Sequence, residues 1–231
     1  MTLIKVIGFD ADDTLWENEL HYKLTEARFT ELLGDFAEPD HLSTRLLAAE
    51  RRNLKHYGYG IKGFTLSMIE TAIEVTEGRL PATTIQKILD AGRALHNHPT
   101  PLLKGVEAAL DTLANHAPLV LITKGDLFDQ ERKIAQSGVA ERFAAIEIVS
   151  EKTAQTYHRI FAPHGEAMMV GNSLKSDVIP ALEANAWGVH IPAAHEWSLE
   201  VAQAPESAAR FHRLESISEL PKLVDELEGQ P

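Results

Sequence analysis

Short apolar runs alternate with helical patterns over most of the chain. Five runs predict strands, at residues 4–9, 118–122, 145–149, 167–170 and 188–191. Segments with apolar residues at three- and four-residue spacing separate them and predict helices, at 106–114, from Asp126 onward, 153–161, from about 171 to 185, and 216–227. Strands that alternate with helices favour a parallel sheet with right-handed crossovers. The pattern therefore predicts an α/β fold with a doubly wound, mainly parallel, Rossmann-like core sheet.

One long stretch departs from this alternation. From Glu19 to about His98 the pattern is helical throughout, with breaks at 34–39, at 58–60 and at 77–81. It predicts about four helices and no strand. A proline-containing segment, 96–101, then stops the helical pattern. We therefore predict two domains, a core of residues 1–16 and 99–231 and an all-helical insert of residues 17–98.

Composition narrows the classes of function. The chain has 231 residues, of which 44% are hydrophobic, and it has a formal net charge of −12 and no cysteine. Disulfides and zinc–thiolate sites are excluded. No segment is densely basic, which argues against nucleic acid or an anionic membrane as a partner. No signal-peptide pattern or run of about 20 apolar residues is present. We expect a cytoplasmic protein, and the choice between monomer and homodimer stays open.

The first apolar run ends in acidic residues. Asp10 and Asp12 are two positions apart, so their side chains would point to the same side of an extended chain. Neighbouring carboxylates repel and raise each other's pKa unless a cation lies between them. Two explanations fit this pair, a divalent metal site and a division of labour between a nucleophile and an acid.

Other polar residues follow the remaining predicted strands. In a parallel sheet the carboxyl ends of the strands share one edge, where such folds bind ligands. The residues predicted to meet there are Asp10, Asp12, Thr123, Lys152, Asn172 and Asp177. Carboxylates that hold a metal, with a hydroxyl and an ammonium for phosphoryl oxygens, are suited to phosphoryl transfer. Hard oxygen ligands without His or Cys favour Mg²⁺.

These residues carry a resemblance to the haloacid-dehalogenase-like (HAD) superfamily, which has four short motifs in this order. Asp10-Ala-Asp12-Asp-Thr14 resembles the first motif, whose leading Asp is the nucleophile and whose second Asp is its acid/base. Thr123 matches the second motif and Lys152 the third. Gly171-Asn-Ser-Leu-Lys-Ser-Asp177 is similar to the fourth. The resemblance implies that the insert is a small helical cap that closes over the site.

The resemblance also implies a metal site, and the chain differs from the usual motifs of the family at two positions. Asp10, the backbone carbonyl of Asp12, Asn172 and Asp177 would hold Mg²⁺. Asn172 stands where the family usually has an aspartate, so one ligand lacks its charge. Lys124 stands where many relatives have asparagine. It is a candidate for phosphate binding with Thr123 and Lys152, and a solvated surface lysine is the equal alternative.

The sequence thus predicts a Mg²⁺-dependent phosphatase that hydrolyses a small phosphorylated metabolite through an aspartyl-phosphate. A dehalogenase of the same superfamily is an alternative, but Asp12 argues against it. A phosphomutase shares all four motifs and stays open, as does a catalytically weak phosphate-binding protein because of Asn172. A phosphoryl-accepting signalling receiver is disfavoured, because its acceptor Asp would lie on a middle strand and it has no room for the insert.

Overall fold

The computed structural model describes residues 4–229, and in this range six parallel strands form one sheet. The strand order is β3-β2-β1-β4-β5-β6, which reverses direction beside β1. The strands are β1 (Val6–Phe9), β2 (Leu119–Lys124), β3 (Ala145–Val149), β4 (Ala167–Gly171), β5 (Trp187–His190) and β6 (Phe211–Arg213). The helices are α1 (Glu19–Leu32), α2 (Pro39–Tyr57), α3 (Ile61–Val75), α4 (Ala82–His96), α5 (Val106–Leu113), α6 (Leu127–Ser137), α7 (Ala154–Phe161), α8 (Ile179–Glu183) and α9 (Leu220–Glu228). The predicted α/β class with a doubly wound parallel sheet is confirmed.

Strand β1 lies at the centre of the sheet and is buried along its whole length. Phe9 pairs with Leu121 on one side and with Val170 on the other. A strand covered on both faces reads as a continuous apolar run, which is why the sequence pattern shows it clearly. This register brings the ends of β1, β2 and β4 to the same edge.

Apolar clusters cover the two faces of the sheet. Alternate residues of each strand point to opposite faces. On one face, Ile7 and Phe9 pack with residues of α5 and α9, such as Leu110 and Val224. On the other face, the alternate strand residues, such as Val120, pack with residues of α7 and α8. The sheet is thus a rigid support for the polar residues at its carboxyl edge.

The chain divides into two compact units. One comprises Met1–Glu19, Thr100–Lys124 and Arg132–Pro231, and the other comprises Leu20–Pro99 and Gly125–Glu131. The predicted division, 1–16 with 99–231 and 17–98, did not assign the segment 125–131 to the helical part. Contacts at 125–131 give the reason, since Lys62 Nζ donates to Asp126 Oδ2 over 2.9 Å and His96 Nδ1 lies 3.1 Å from Asp129 Oδ1.

The second unit has its own core, formed by α1 to α4. Phe29, Leu42, Leu46, Met68 and Ile88 are buried together in it. The predicted four helices without a strand are what the structure shows at 19–96. Apolar residues at helical spacing produce this arrangement because each helix buries one stripe against its neighbours.

Two details of the core unit differ from the sequence pattern. The short edge strand β6 was not predicted, since Phe-His-Arg shows neither an apolar run nor an alternation. The last helix was predicted from Ser216, but Ile217–Glu219 form a 3₁₀ turn before α9 begins at Leu220. Proline at position 221, in the first turn of α9, fits a helix start, because its missing N–H has no partner there.

Substitution Leu42→Ala tests the core of the helical unit. Leu42 is fully buried, so we expect a loss of about 2 to 5 kcal/mol in the free energy of unfolding, from lost burial and the cavity left behind. Urea unfolding monitored by circular dichroism measures this. The matched control is Leu24→Ala, since Leu24 is 53% exposed in the same unit and should change stability by less than about 0.5 kcal/mol. Equal effects of the two substitutions would contradict the packing described.

Candidate active site

The polar residues predicted to meet do so at the carboxyl edge of the sheet. Asp10 follows β1, Thr123 is the second-to-last residue of β2, Lys152 follows β3 and Asn172 follows β4. Each lies at or just past the end of its strand, because the apolar run that forms the strand ends there. The sheet register therefore assembles four sequence-distant segments into one site.

The centre of the site is an ammonium group between two carboxylates. Lys152 Nζ donates to Asp10 Oδ1, and it also donates to Asp177 Oδ1 over 2.6 Å. All three side chains are almost completely buried, and Asp177 is only 1% exposed. Removing one partner of a buried charge pair costs much more than breaking an exposed one. This bridge is the strongest electrostatic feature of the site.

The environment of Asp10 changes its acidity. Burial, and after it the nearby charge of Asp177, raise the pKa of Asp10 to about 7, although Lys152 opposes both. Burial by itself lowers the pKa of Lys152, but the two facing carboxylates more than offset this, so its pKa lies above its ordinary value. Lys152 is therefore a permanent cation, and Asp10 has more negative charge around it than Lys152 alone balances.

The loop after β1 is held by its own side chains. Thr14 Oγ1 donates to Asp10 Oδ2 over 3.0 Å. Asp13 has a φ of 62°, a conformation that Asp and Asn adopt more readily than most residues, and its carboxylate accepts the backbone N–H groups of Asn18 and Glu19 at the start of α1. Burial raises the pKa of Asp13 to about 6. The first motif thus caps a helix as well as presenting its acids.

Asp12 has partners of its own. Both carboxylate oxygens lie 2.6 Å from Lys133 Nζ, which comes from α6, and Oδ1 also accepts the indole N–H of Trp16 over 2.7 Å. Sequence reasoning missed Lys133, because nothing in the local pattern of α6 points to a partner 121 positions away. Asp12 is thus held by an ion pair and by an indole donor.

Three polar atoms converge at the ends of β1 and β4, one each from Asp10, Asp12 and Asn172. The inward-facing atom of the Asn172 amide lies 3.1 Å from both Asp10 Oδ2 and the carbonyl oxygen of Asp12. If this atom is nitrogen, it donates to both oxygens; if it is oxygen, no proton separates the three. Octahedral Mg²⁺ binds oxygens at about 2.1 Å, so neighbouring ligands are about 3.0 Å apart. The spacing therefore fits a small hard cation bound by Asp10, the Asp12 carbonyl and Asn172.

No group of three His, Asp or Glu side chains between residues 4 and 229 forms a metal site. A metal here would therefore depend on a backbone carbonyl and an amide, as the first and fourth motifs predict. Asp177, the fourth predicted ligand, already accepts from Lys152 with one oxygen and from the backbone N–H of Ser173, over 2.9 Å, with the other. Its contacts identify it as the partner that orients Lys152, and direct metal binding by Asp177 stays a prediction.

Gly171 makes this arrangement of Asp177 sterically feasible. A Cβ atom built at this position would overlap the Asp177 carboxylate. The backbone of β4 therefore approaches the acid as closely as it does only because residue 171 has no side chain.

The two predicted phosphate-binding residues of β2 have different surroundings. Thr123 is 1% exposed, and its hydroxyl makes no side-chain hydrogen bond to any described residue. Lys124 Nζ donates to Ser176 Oγ over 2.8 Å and to Glu200 Oε1 over 2.6 Å. Thr123 thus retains hydrogen-bonding capacity for a ligand, whereas Lys124 is bound within the protein and is not a solvated surface lysine.

Side chains from three other parts of the chain hold the turn after β4, and two of them, Tyr157 and His190, carried no signal in the sequence. The Tyr157 hydroxyl donates to the carbonyl of Ser176 over 2.9 Å, and His190 Nε2 donates to the carbonyl of Asn172 over the same distance. Thr14 Oγ1 accepts the backbone N–H of Asn172 over 3.1 Å. These contacts connect β1, β5 and α7 to the turn and fix where Asn172 lies.

The chain belongs to the haloacid dehalogenase-like hydrolase family, whose model matches residues 4–185. The suspected membership is therefore confirmed, and the protein is a hydrolase of this class. A comparison with curated proteins gives no match.

Solved structures share the fold. A haloacid dehalogenase-like family hydrolase from Xanthomonas campestris is 45% identical, with a TM-score of 0.87 over 99% of this chain and 93% of that one. Bacillus subtilis YfnB, in a structure bound to magnesium, is 15% identical, with a TM-score of 0.64 over 96% and 99%. A predicted phosphoglycolate phosphatase from Haemophilus somnus is 16% identical, with a TM-score of 0.64 over 96% and 99%. Other matches carry the names of a 2-haloacid dehalogenase and a beta-phosphoglucomutase.

These names cover three reactions, so the fold by itself does not select one of them. In the described part of the chain, no helix has the length and apolar character needed to cross a bilayer.

Substitution Lys152→Met tests the central bridge. Two buried carboxylates would then face each other without a counter-charge, and we expect a loss of about 3 to 5 kcal/mol in the free energy of unfolding at pH 8 in EDTA. Urea unfolding measures it, with Lys104→Met, at an exposed position of the same unit, as the control. Equal unfolding midpoints for the two variants would show that the bridge contributes nothing.

Proposed function

We propose that this hydrolase is a Mg²⁺-dependent phosphatase that cleaves a small phosphate monoester through an aspartyl-phosphate on Asp10. The observation that carries the proposal is the surroundings of Asp10. Its carboxylate contacts a permanent cation on one side, and on the other the Asn172 amide lies 3.1 Å from both Asp10 Oδ2 and the Asp12 carbonyl oxygen, a spacing that fits neighbouring ligands of a metal. A phosphoryl group that carries two negative charges needs both.

Asp10 acts as the nucleophile. One carboxylate oxygen attacks phosphorus, the bond between phosphorus and the ester oxygen breaks, and the leaving oxygen takes a proton. Lys152 and Thr14 hold the carboxylate so that its direction is fixed before the substrate arrives. Lys152 and the Thr123 hydroxyl then bind the transferring oxygens.

Asp12 provides and recovers that proton. It must be protonated when the ester oxygen leaves, and it then takes a proton from the water that attacks the aspartyl-phosphate. Lys133 Nζ contacts both carboxylate oxygens of Asp12, so this contact has to open before Asp12 can donate a proton to the leaving oxygen. The reaction therefore includes a side-chain rotation of Asp12 away from Lys133.

Bound Mg²⁺ would neutralise the excess negative charge around Asp10 and help to bind phosphate. Asp10, the Asp12 carbonyl and Asn172 would hold it, with Asp177 supporting the site through Lys152. The magnesium bound to YfnB agrees with this assignment. A neutral amide in place of a third carboxylate should weaken the metal's affinity.

Asp12 also bears on the choice between activities. A phosphate ester needs a proton for its leaving oxygen, whereas a halide leaves without one, so an acid two residues after the nucleophile favours phosphate chemistry. The same residue serves a phosphomutase, and that activity remains the second candidate. We place the enzyme in the cytoplasm with a small phosphorylated metabolite as its substrate and neither nucleic acid nor a membrane as a partner.

Substitution Asp10→Asn is the direct test. We expect the rate of phosphate release to fall at least about a thousandfold while the fold stays intact, because an amide cannot attack phosphorus. The assay measures phosphate from a panel of small phosphate monoesters, with Mg²⁺ and with EDTA. Asp225→Asn, at an exposed position of α9, is the control and should retain full activity.

Four outcomes would overturn the proposal. Phosphate release that persists in the Asp10→Asn variant excludes the nucleophile. Full activity in EDTA excludes the metal. Chloride release from chloropropionic acid without phosphatase activity would identify a dehalogenase, and isomerisation of a sugar phosphate would identify a mutase.

A further inference from the structure

A partly buried carboxylate from outside the four motifs lies at the edge of the site. Glu200 is in the irregular segment between β5 and β6. It accepts a hydrogen bond from Lys124 Nζ over 2.6 Å, one from Ser173 Oγ over 2.7 Å and one from Ser176 Oγ. Its side chain is 12% exposed. Three hydrogen-bond donors thus stabilise the negative charge of this carboxylate.

A chain of hydrogen bonds connects Glu200 to Lys152 at the reaction centre. The hydroxyl of Ser173 donates to Glu200, and the backbone N–H of the same residue donates to Asp177. Asp177 in turn accepts from Lys152. The segment that carries Glu200 is also held by Lys175 Nζ, which donates to the carbonyl of Leu199 over 2.6 Å. A change at Glu200 therefore reaches the reaction centre through Ser173 and Asp177.

Glu200 is ionised in this setting. Burial raises its pKa, but the charge of Lys124 and the hydroxyl donors offset this and bring the pKa below the ordinary value. The ammonium of Lys124 is therefore paired with a full negative charge at 2.6 Å.

We propose that Glu200 is a positioning residue that holds the Lys124 ammonium in place and cancels its charge. This inference rests on the proposed function. Lys124 would then affect the phosphoryl site only through the net charge of the Lys124–Glu200 pair, and not by direct contact with phosphate. From the sequence, direct phosphate binding and a solvated surface lysine are equal alternatives for Lys124.

The charges at the sheet edge show what this pairing does. Glu200 with Lys124 and Asp12 with Lys133 form two neutral pairs. Beside these pairs, Lys152 lies between two carboxylates and balances only one of them, which leaves an excess negative charge for a metal cation to neutralise. Without the charge of Glu200, the edge becomes one unit more positive, which favours phosphate and disfavours Mg²⁺.

Substitution Glu200→Gln should therefore change two affinities in opposite directions. Gln keeps the length of the side chain and loses only its charge. We expect inorganic phosphate to bind about three- to tenfold more tightly and Mg²⁺ to bind weaker by a similar factor, the effect of one partly screened charge. Isothermal titration calorimetry measures both, with Mg²⁺ alone and with phosphate at saturating Mg²⁺. A disturbed structure would weaken both ligands.

Two further variants complete the test. Lys124→Met leaves Glu200 unbalanced, so phosphate should bind more weakly and Mg²⁺ more tightly. The double variant, Glu200→Gln with Lys124→Met, restores neutrality and should return both affinities to within about twofold of the original protein. Direct contact of Lys124 with phosphate would prevent this return and overturn the inference.

Substitution Glu166→Gln is the matched control. Glu166 precedes β4 at the opposite edge of the sheet and pairs with Arg210 over 2.7 Å, so loss of its charge should change neither affinity. If the original protein binds neither Mg²⁺ nor phosphate, the proposed function fails and this inference with it. If it binds both but the Glu200 and Lys124 variants change the two affinities in the same direction, only the inference fails.

Discussion

The site depends on one interaction, the contact of the Lys152 ammonium with the carboxylates of Asp10 and Asp177. Two buried acids beside each other would otherwise repel, and one of them would take up a proton. Lys152 balances one of the two charges and leaves the other. The remaining charge is the basis of the cation affinity that we propose, and the paired charge prevents the acids from separating.

The parallel sheet makes this interaction available. Asp10, Lys152 and Asp177 are separated by 142 and 25 positions in the chain, and each follows the end of a different strand. Buried strands fix the height of the residue that follows them, because a shift of register would expose apolar side chains. Burial of the apolar strand residues thus also brings both carboxylates within hydrogen-bonding distance of the Lys152 ammonium.

The sequence predicts the parts of the fold and site whose signal is local. Strands β1 to β5 and the helices of the insert are visible from apolar spacing, and Asp10, Thr123, Lys152 and Asn172 are visible because they follow such runs. The short strand β6 shows no pattern, since it is a three-residue edge element. Lys133 and Glu200 were missed for another reason. Each is an ordinary charged residue in its own segment, and only its partner, 121 or 76 positions away, gives it a role.

The site leaves no room for a side chain at Gly171, a residue that takes no part in the proposed chemistry. At Gly171 even one methyl group would occupy the space of the Asp177 carboxylate. The acid would have to move, and the hydrogen bonds that it accepts from Lys152 and Ser173 would lengthen or break. Every ionisable group would still be present, yet their balance would be lost. The absence of a side chain at position 171 therefore decides whether the same charged groups can keep their contacts with one another.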